Sequence, residues 1–175
     1  MKRLFLLIVL SVIISSCNTA HWVIGRFPIA NHSTVSFNNY SVNDNGKIST
    51  SINILELFDV YREGVENVEI SIADKDLTLK AVNNKGKAFV FKFKGKYIST
   101  DEFEVYLRNE RLEIPPILPI LYSRKDIYRL RISITRKGKL RITNWMNFSG
   151  NFFILAAGGG HTHYHYFLPT NKQTR

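Results

Sequence analysis

The chain has 175 residues, 45% hydrophobic, 22% charged and 13% aromatic, which is the make-up of a folded protein of about one domain. Its single cysteine excludes a disulfide-stapled scaffold, an iron–sulfur cluster and a CxxC zinc site. With 24 Lys+Arg against 14 Asp+Glu the formal charge is +10, so an acidic partner or surface is the natural counterpart.

The first seventeen residues carry the sharpest signal. Lys2 and Arg3 form a positive start, Leu4 to Ile14 an apolar run of eleven residues with Ser11 as its one polar member, and Ser15 and Ser16 a small-residue approach to Cys17. The run fits a secretory leader and falls short of the roughly 20 residues that a membrane-spanning helix needs. Ile14-Ser15-Ser16-Cys17 resembles the lipobox of bacterial lipoproteins: an aliphatic residue, two small ones, then the cysteine that becomes the mature N-terminus. The resemblance implies a diacylglyceryl thioether on Cys17 and an acylated amine. It also explains the lone cysteine, since a lipidated thiol is no longer free. Asn18, rather than Asp, follows the cysteine, which in the enteric-type rule implies an outer-membrane destination. No acidic export cluster follows, so a periplasm-facing anchor is expected.

The organisation read from this is a signal peptide at 1–16, a lipidated N-terminus and short tether at 17–21, and one domain at 22–175. Cleavage removes Lys2 and Arg3, so the mature charge falls to about +8. Five peptide units from Cys17 to Trp22 reach at most about 17 Å, which holds the domain near the headgroups.

Trp22–Ile29 and Ser33–Val42 read as opening strands, and Asn43-Asp44-Asn45-Gly46 as a turn. Asn53 can cap a helix with Glu56 at its third position. Leu55, Phe58 and Tyr61 recur at helical spacing until Gly64, which predicts about ten helical residues. From Val65 the period becomes two. Val68, Ile70 and Ile72 precede an Asp74-Lys75-Asp76 turn, and Leu77, Leu79 and Ala81 precede a turn at 83–87. Then come Phe89, Phe91, Phe93 and Tyr97, next Phe103, Val105 and Leu107, and then Tyr128, Leu130, Ile132 and Ile134. Lys137-Gly138 turns onto Leu140 and Ile142, and His161–Leu168 is the last strand. Eight or nine short antiparallel strands must hide their edges. The expected architecture is therefore mainly β, an up-and-down barrel that is lipocalin-like in shape, with one short helix; a β-sandwich is the alternative.

Four constellations bear on function. His161, His163 and His165 share one strand face. Imidazoles suit zinc or copper, but three along one strand converge poorly on a single ion, so the alternative is a solvent-facing row with Tyr164, Tyr166 and Leu168 turned to the core. Ala156-Ala157-Gly158-Gly159-Gly160 lacks a following Lys-Ser/Thr and reads as a turn or bulge. Ile114 to Tyr122, with Pro115, Pro116 and Pro119, reads as a lid over one end or as an apolar strip that docks a partner or lipid.

The fourth is basic. Lys92, Lys94 and Lys96 form one ladder, and Arg129, Arg131, Lys139 and Arg141 a second, on strands that suit anionic lipid or lipopolysaccharide; the alternative is a solvated face beside Glu104, Glu110 and Glu113. The envelope address argues against nucleic acid. No nucleophile elbow or HExxH motif is present, and no cofactor or enzyme activity is expected. The functional expectation is a membrane-anchored, non-catalytic interaction module or accessory subunit with an envelope protein partner. Lipocalin-like capture of a small apolar or amphipathic ligand and His-cluster metal binding are the alternatives.

Overall fold

The computed structural model describes residues 34–43, 47–114, 122–153 and 155–170. Cys17, the leader, the tether and the expected strand Trp22–Ile29 lie outside the described residues. So do His21, His32, the turn residues 44–46 and the proline segment 115–121.

Ten strands follow in chain order. They are β1 (Thr34–Asn38), β2 (Tyr40–Val42), β3 (Ile48–Asn53), β4 (Val65–Ala73), β5 (Asp76–Asn83), β6 (Ala88–Tyr97), β7 (Phe103–Ile114), β8 (Tyr122–Ile134), β9 (Leu140–Phe152) and β10 (Leu155–Phe167); a single helical turn, α1 (Ile54–Leu57), sits between β3 and β4. Each alternation read from the sequence from Val65 onward falls in one of these strands. All pairings are antiparallel, in the order β1-β4-β5-β6-β7-β8-β9-β10-β2-β3. The fold is mainly β with one short helix, as expected.

The sheet does not close into a barrel. Its order has two ends, β1 and β3, and one stretch of chain, 34–42, serves both. β1 pairs along β4, while β2 meets β10 only at Val42 opposite Tyr166. Past β10 the chain is stitched to β1 without a full ladder: the Asn38 N–H donates to the Leu168 carbonyl at 2.9 Å and the Thr170 N–H to the Ser36 carbonyl at 2.8 Å. Unequal strand lengths account for this. β8, β9 and β10 have 13 residues each, but β1 and β2 together offer eight, so most of the β10 edge has no described strand to pair with.

The opening strand expected over Ser33–Val42 is broken at Asn39, which is buried. Its N–H donates to the Glu66 carbonyl at 2.7 Å and its carbonyl accepts from the Ile54 N–H at 2.9 Å. Its side-chain Nδ2 donates to the Val65 carbonyl at 3.0 Å, and Oδ1 accepts from the Leu55 N–H at 3.4 Å. One residue thus joins β1, β2, α1 and β4.

The helix begins where the sequence puts it and ends early. Asn53 accepts from the Glu56 N–H at 2.8 Å and donates to the Glu56 carboxylate at 3.2 Å, which is the expected cap. Only four residues are helical, not about ten. Asp59 adopts φ 56°, the Asp59 N–H bonds to the Glu56 carbonyl at 3.0 Å and the Val60 N–H to the Leu55 carbonyl at 2.9 Å. These paired bonds terminate a helix at once. Burial explains why they form here: Ile54, Leu55, Leu57 and Phe58 are all buried, and a longer helix would rotate apolar positions out of the core.

The core is one cluster. Val68, Ile70 and Ile72 of β4 and Leu77, Leu79 and Ala81 of β5 pack with Phe103, Val105, Leu130, Ile132, Leu140, Ile142 and Phe167 from the bases of β7 to β10, and with the α1 side chains. Phe91 and Phe93 pack against it from β6. β6 turns between the two groups of strands at Gly95, pairing β5 up to Lys94 and β7 from Gly95 on. A side chain at Gly95 would collide with the Phe103 ring and the Glu104 carbonyl, so the turn requires glycine. The Tyr128 hydroxyl donates to the Leu57 carbonyl at 2.7 Å and ties β8 to the end of α1; burial, then the nearby Asp59 charge, push its ionisation up to about 12.

Asn39→Ala removes both side-chain bonds and leaves the Val65 carbonyl and Leu55 N–H unpaired in a buried place. The expected cost is about 3 kcal/mol of folding stability, read as a lower urea midpoint.

Candidate functional site

The core reaches only part-way along the longest strands. On β7 it ends near Val105, on β8 at Leu130, on β9 at Ile142. Beyond these points β7 to β10 continue as a four-stranded extension whose strands pair with one another alone: Asn109–Ile114, Tyr122–Ile127, Asn147–Phe152 and Leu155–Gly160. β6 reaches β7 only over Phe103–Val105, so among the described residues both outer edges of the extension are open.

The extension has two unlike faces. The face that continues the core carries Leu112, Met146, Phe148, Phe152 and Leu155 together with Arg108, Glu110, Arg124 and Asp126, and the opposite face carries Ser123, Lys125, Ser149 and Asn151. The apolar side chains are uncovered: Leu112 is 51% exposed, Phe148 54%, Phe152 60%, Phe153 53% and Leu155 72%. Phe148, Phe152 and Leu155 border an open cleft of about 550 Å³, lined also by Tyr122, Arg124 and Asp126. Exposed apolar side chains clustered in this way make the extension the candidate site.

The hairpin at its end is unusual. Phe152 pairs with Leu155, and Phe153 turns the chain with φ 54°, where its ring sits 4.7 Å from that of Phe152. An aromatic residue in the left-handed region costs about 1–2 kcal/mol relative to the residues that favour it. Other hairpins turn on Asp74-Lys75, Asn84-Lys85, Ser99-Thr100-Asp101 and Arg136-Lys137-Gly138.

The glycine run expected as a turn is strand instead. Ala156 to Gly160 pair continuously with Asn147 to Asn151. Gly159 lies beneath the Phe148 ring, where a Cβ would approach the ring edge to 2.9 Å. The glycines therefore make room for a neighbour across the sheet, and period-two patterning cannot register residues that have no side chain.

The histidine row also differs from its expected orientation. His161, His163 and His165 lie opposite Met146, Asn144 and Ile142, on the same face as the buried Phe167. Tyr164, expected in the core, is 59% exposed. His161 and His163 are exposed because the core stops beneath them, and the ring centroids stand 6.3 and 6.4 Å apart along the strand. Among the described residues no three His, Cys, Asp or Glu side chains gather where they could hold one metal ion.

The two basic ladders part company. Lys92, Lys94 and Lys96 are exposed; Lys94 pairs with Asp76 at 2.7 Å, and the Lys96 ammonium lies 5.9 Å from the Tyr106 ring centroid. The second ladder is not a free face. Glu104, expected on the solvated side, has a buried carboxylate that pairs with Arg131 at 2.9 Å and Arg129 at 3.3 Å. The Arg129 guanidinium also stacks 3.8 Å from the Trp145 ring centroid. Arg141 pairs with Glu102 at 2.6 Å and bonds the Ser133 hydroxyl at 3.0 Å, and Lys139 is half-buried. These arginines clasp β7, β8 and β9 at the root of the extension. A basic residue count could not show this, because the acids come from another strand.

Comparison with known protein families, curated proteins and solved structures gives no match to this chain.

Two outcomes follow from this geometry. Glu104→Ala leaves two arginines facing each other without their shared carboxylate, and is expected to cost about 3 kcal/mol in urea unfolding, more than Arg131→Ala at the half-exposed end of the pair. His165 is half-buried, and burial first, then the neighbouring His163, hold its imidazole below the ordinary 6.5. The unfolded chain therefore binds this proton at higher pH than the folded one. The stability it contributes is complete above pH about 6.5 and is lost as pH falls through the folded value, so His165→Gln should flatten the stability loss between pH about 7 and about 5.

Proposed function

We infer that the chain is a lipid-anchored protein of the bacterial envelope, working at the outer membrane as a non-catalytic interaction module. The observation that carries this reading is the distribution of its large apolar side chains. Phe37, Phe58, Phe103 and Phe167 fill the interior, while Phe148, Phe152, Phe153 and Leu155 stand uncovered on the extension. A protein that stores a ligand keeps apolar surface around an enclosed cavity. Here it is presented outward, on paired strands clasped at their root by the Glu104 ion cluster.

The filled interior speaks against lipocalin-like capture of a small ligand, and the spacing of His161, His163 and His165 against a metal centre within one copy. The Ile14-Ser15-Ser16-Cys17 sequence supports the anchor. The exposed Lys92, Lys94 and Lys96 ladder suits an anionic lipid or lipopolysaccharide surface. Each such cation near a charged bilayer contributes about 1 kcal/mol, within a Debye length of about 8 Å.

The anchor is tested by metabolic labelling. Labelled palmitate should enter the wild-type chain, which should fractionate with the outer membrane, and should be absent from Cys17→Ser. Label in that variant would overturn the assignment.

A further inference from the structure

The two halves of β10 differ in size. Leu155 to Gly160 reads Leu-Ala-Ala-Gly-Gly-Gly, and His161 to Tyr166 reads His-Thr-His-Tyr-His-Tyr. Beyond the bridge from Tyr166 to Val42, no described strand lies along its outer edge. Laid antiparallel on itself about its middle, such a strand sets the bulky half of each copy against the small half of the other. Glycines inside a strand also mark a place where another backbone comes close.

Charge permits that contact. The chain carries +10 overall, yet β10 from Leu155 to Phe167 and β9 from Ile142 to Phe152 hold no Asp, Glu, Lys or Arg. The first charged strand inward is β8, about 10 Å from the edge at two strand spacings, which exceeds a Debye length of about 8 Å. The opposite edge of the extension is different: there β7 carries Arg108, Glu110, Arg111 and Glu113, side chains of the kind that keep strands apart.

Hydrogen-bond parity restricts the register. The Leu168 carbonyl serves Asn38 and Tyr166 faces Val42, both on the side away from β9. The ladder to β9 runs without a shift, so Ala156, Gly158, Gly160, Thr162 and Tyr164 also aim their N–H and C=O groups outward. A twofold axis must set these residues opposite one another, which places it at a residue and not between two. With the axis at Gly159, Gly158 meets the partner's Gly160 and Ala156 the partner's Thr162, and the partner's hairpin stops short of Val42. We propose that the chain forms a twofold dimer by antiparallel pairing of β10 with β10 of a second copy, centred on Gly159. Residues opposite each other in such a pair share a face, so the two extensions join into one sheet with a continuous apolar side. This rests on the reading of the extension as an interaction surface and names its partner; neither Cys17 nor a bilayer enters it.

The test uses the full chain with Cys17→Ser, which carries no lipid and leaves introduced thiols unique, in a non-ionic detergent that masks residues 4–14. Every variant is checked for native circular dichroism. Sedimentation over a micromolar concentration series should show a monomer–dimer equilibrium. Ala156→Glu with Thr162→Glu sets like charges opposite each other and should weaken the dimer about tenfold, as should Ala156→Lys with Thr162→Lys. Mixing the two variants should restore a dimer with one copy of each. Ala157→Cys with His161→Cys should give a covalent dimer on mild oxidation, because these positions face each other across the axis, and either cysteine alone should not. A Cys17→Ser chain that stays monomeric throughout would overturn the proposal, whether another protein's strand or another part of this chain takes the edge. So would a dimer that the like-charge substitutions leave undisturbed, or oxidation that links the single-cysteine variants as readily as the double one.

Discussion

Asn39 is the residue on which the arrangement of the sheet depends. Its backbone and side chain make four hydrogen bonds, to Glu66 and Val65 at the start of β4 and to Ile54 and Leu55 at the start of α1. A buried amide must find partners, and an asparagine can satisfy a donor and an acceptor at once. By doing so here it stops β1, starts β2 and fixes where the helical turn α1 leaves β3. The stretch 34–42 can then pair with β4 on one side and touch β10 on the other.

That double duty limits how far the sheet can wrap. Eight strand residues in β1 and β2 cannot cover the 13 of β10, so closure is confined to the part of the sheet around Phe37, Phe103, Leu130, Ile142 and Phe167. Among the described residues, the remainder of β7 to β10 has no second layer beneath it. Short strands on one side of the core and long strands on the other thus produce both a compact interior and a projecting apolar surface.

The period-two pattern made the core legible: Val68, Ile70, Ile72, Leu77, Leu79, Phe103, Val105, Leu130, Ile132, Leu140 and Ile142 are all buried as the alternation requires. The Asn53–Glu56 cap was also legible, because it depends on residues three apart. Three features escaped for one reason, that their cause lies in another strand. Helix length was set by burial of Leu57 and Phe58 and the left-handed Asp59. The glycines of β10 are explained by the Phe148 ring across the sheet. The pairing of Arg129 and Arg131 with Glu104 joins residues 25 and 27 positions apart. For the extension the same alternation that marks a core face was present, yet it marks a face with no core against it. Pattern tells which side of a strand is apolar, not what covers it.

The clasp at Glu104 bears on what an uncovered sheet can do. Among the described residues the four-stranded extension has two open edges and no layer behind it; such a sheet has little side-chain burial to hold its shape, and free edges invite unwanted pairing. Three devices oppose this. Charged residues guard β7, with Arg108 paired to Asp126 at 3.1 Å and Arg111 to Glu113. Continuous ladders join β8, β9 and β10 over 13 residues. At the root, one buried carboxylate holds an arginine on either side of a strand position, and Trp145 covers the second. The ion cluster sits on the polar face, opposite the apolar one, so it stiffens the extension without occupying the surface that the extension presents. β10 is the edge left without such protection: it carries no acid, lysine, arginine or proline between Leu155 and Phe167. An edge so bare persists only where its surroundings keep other strands away or supply one.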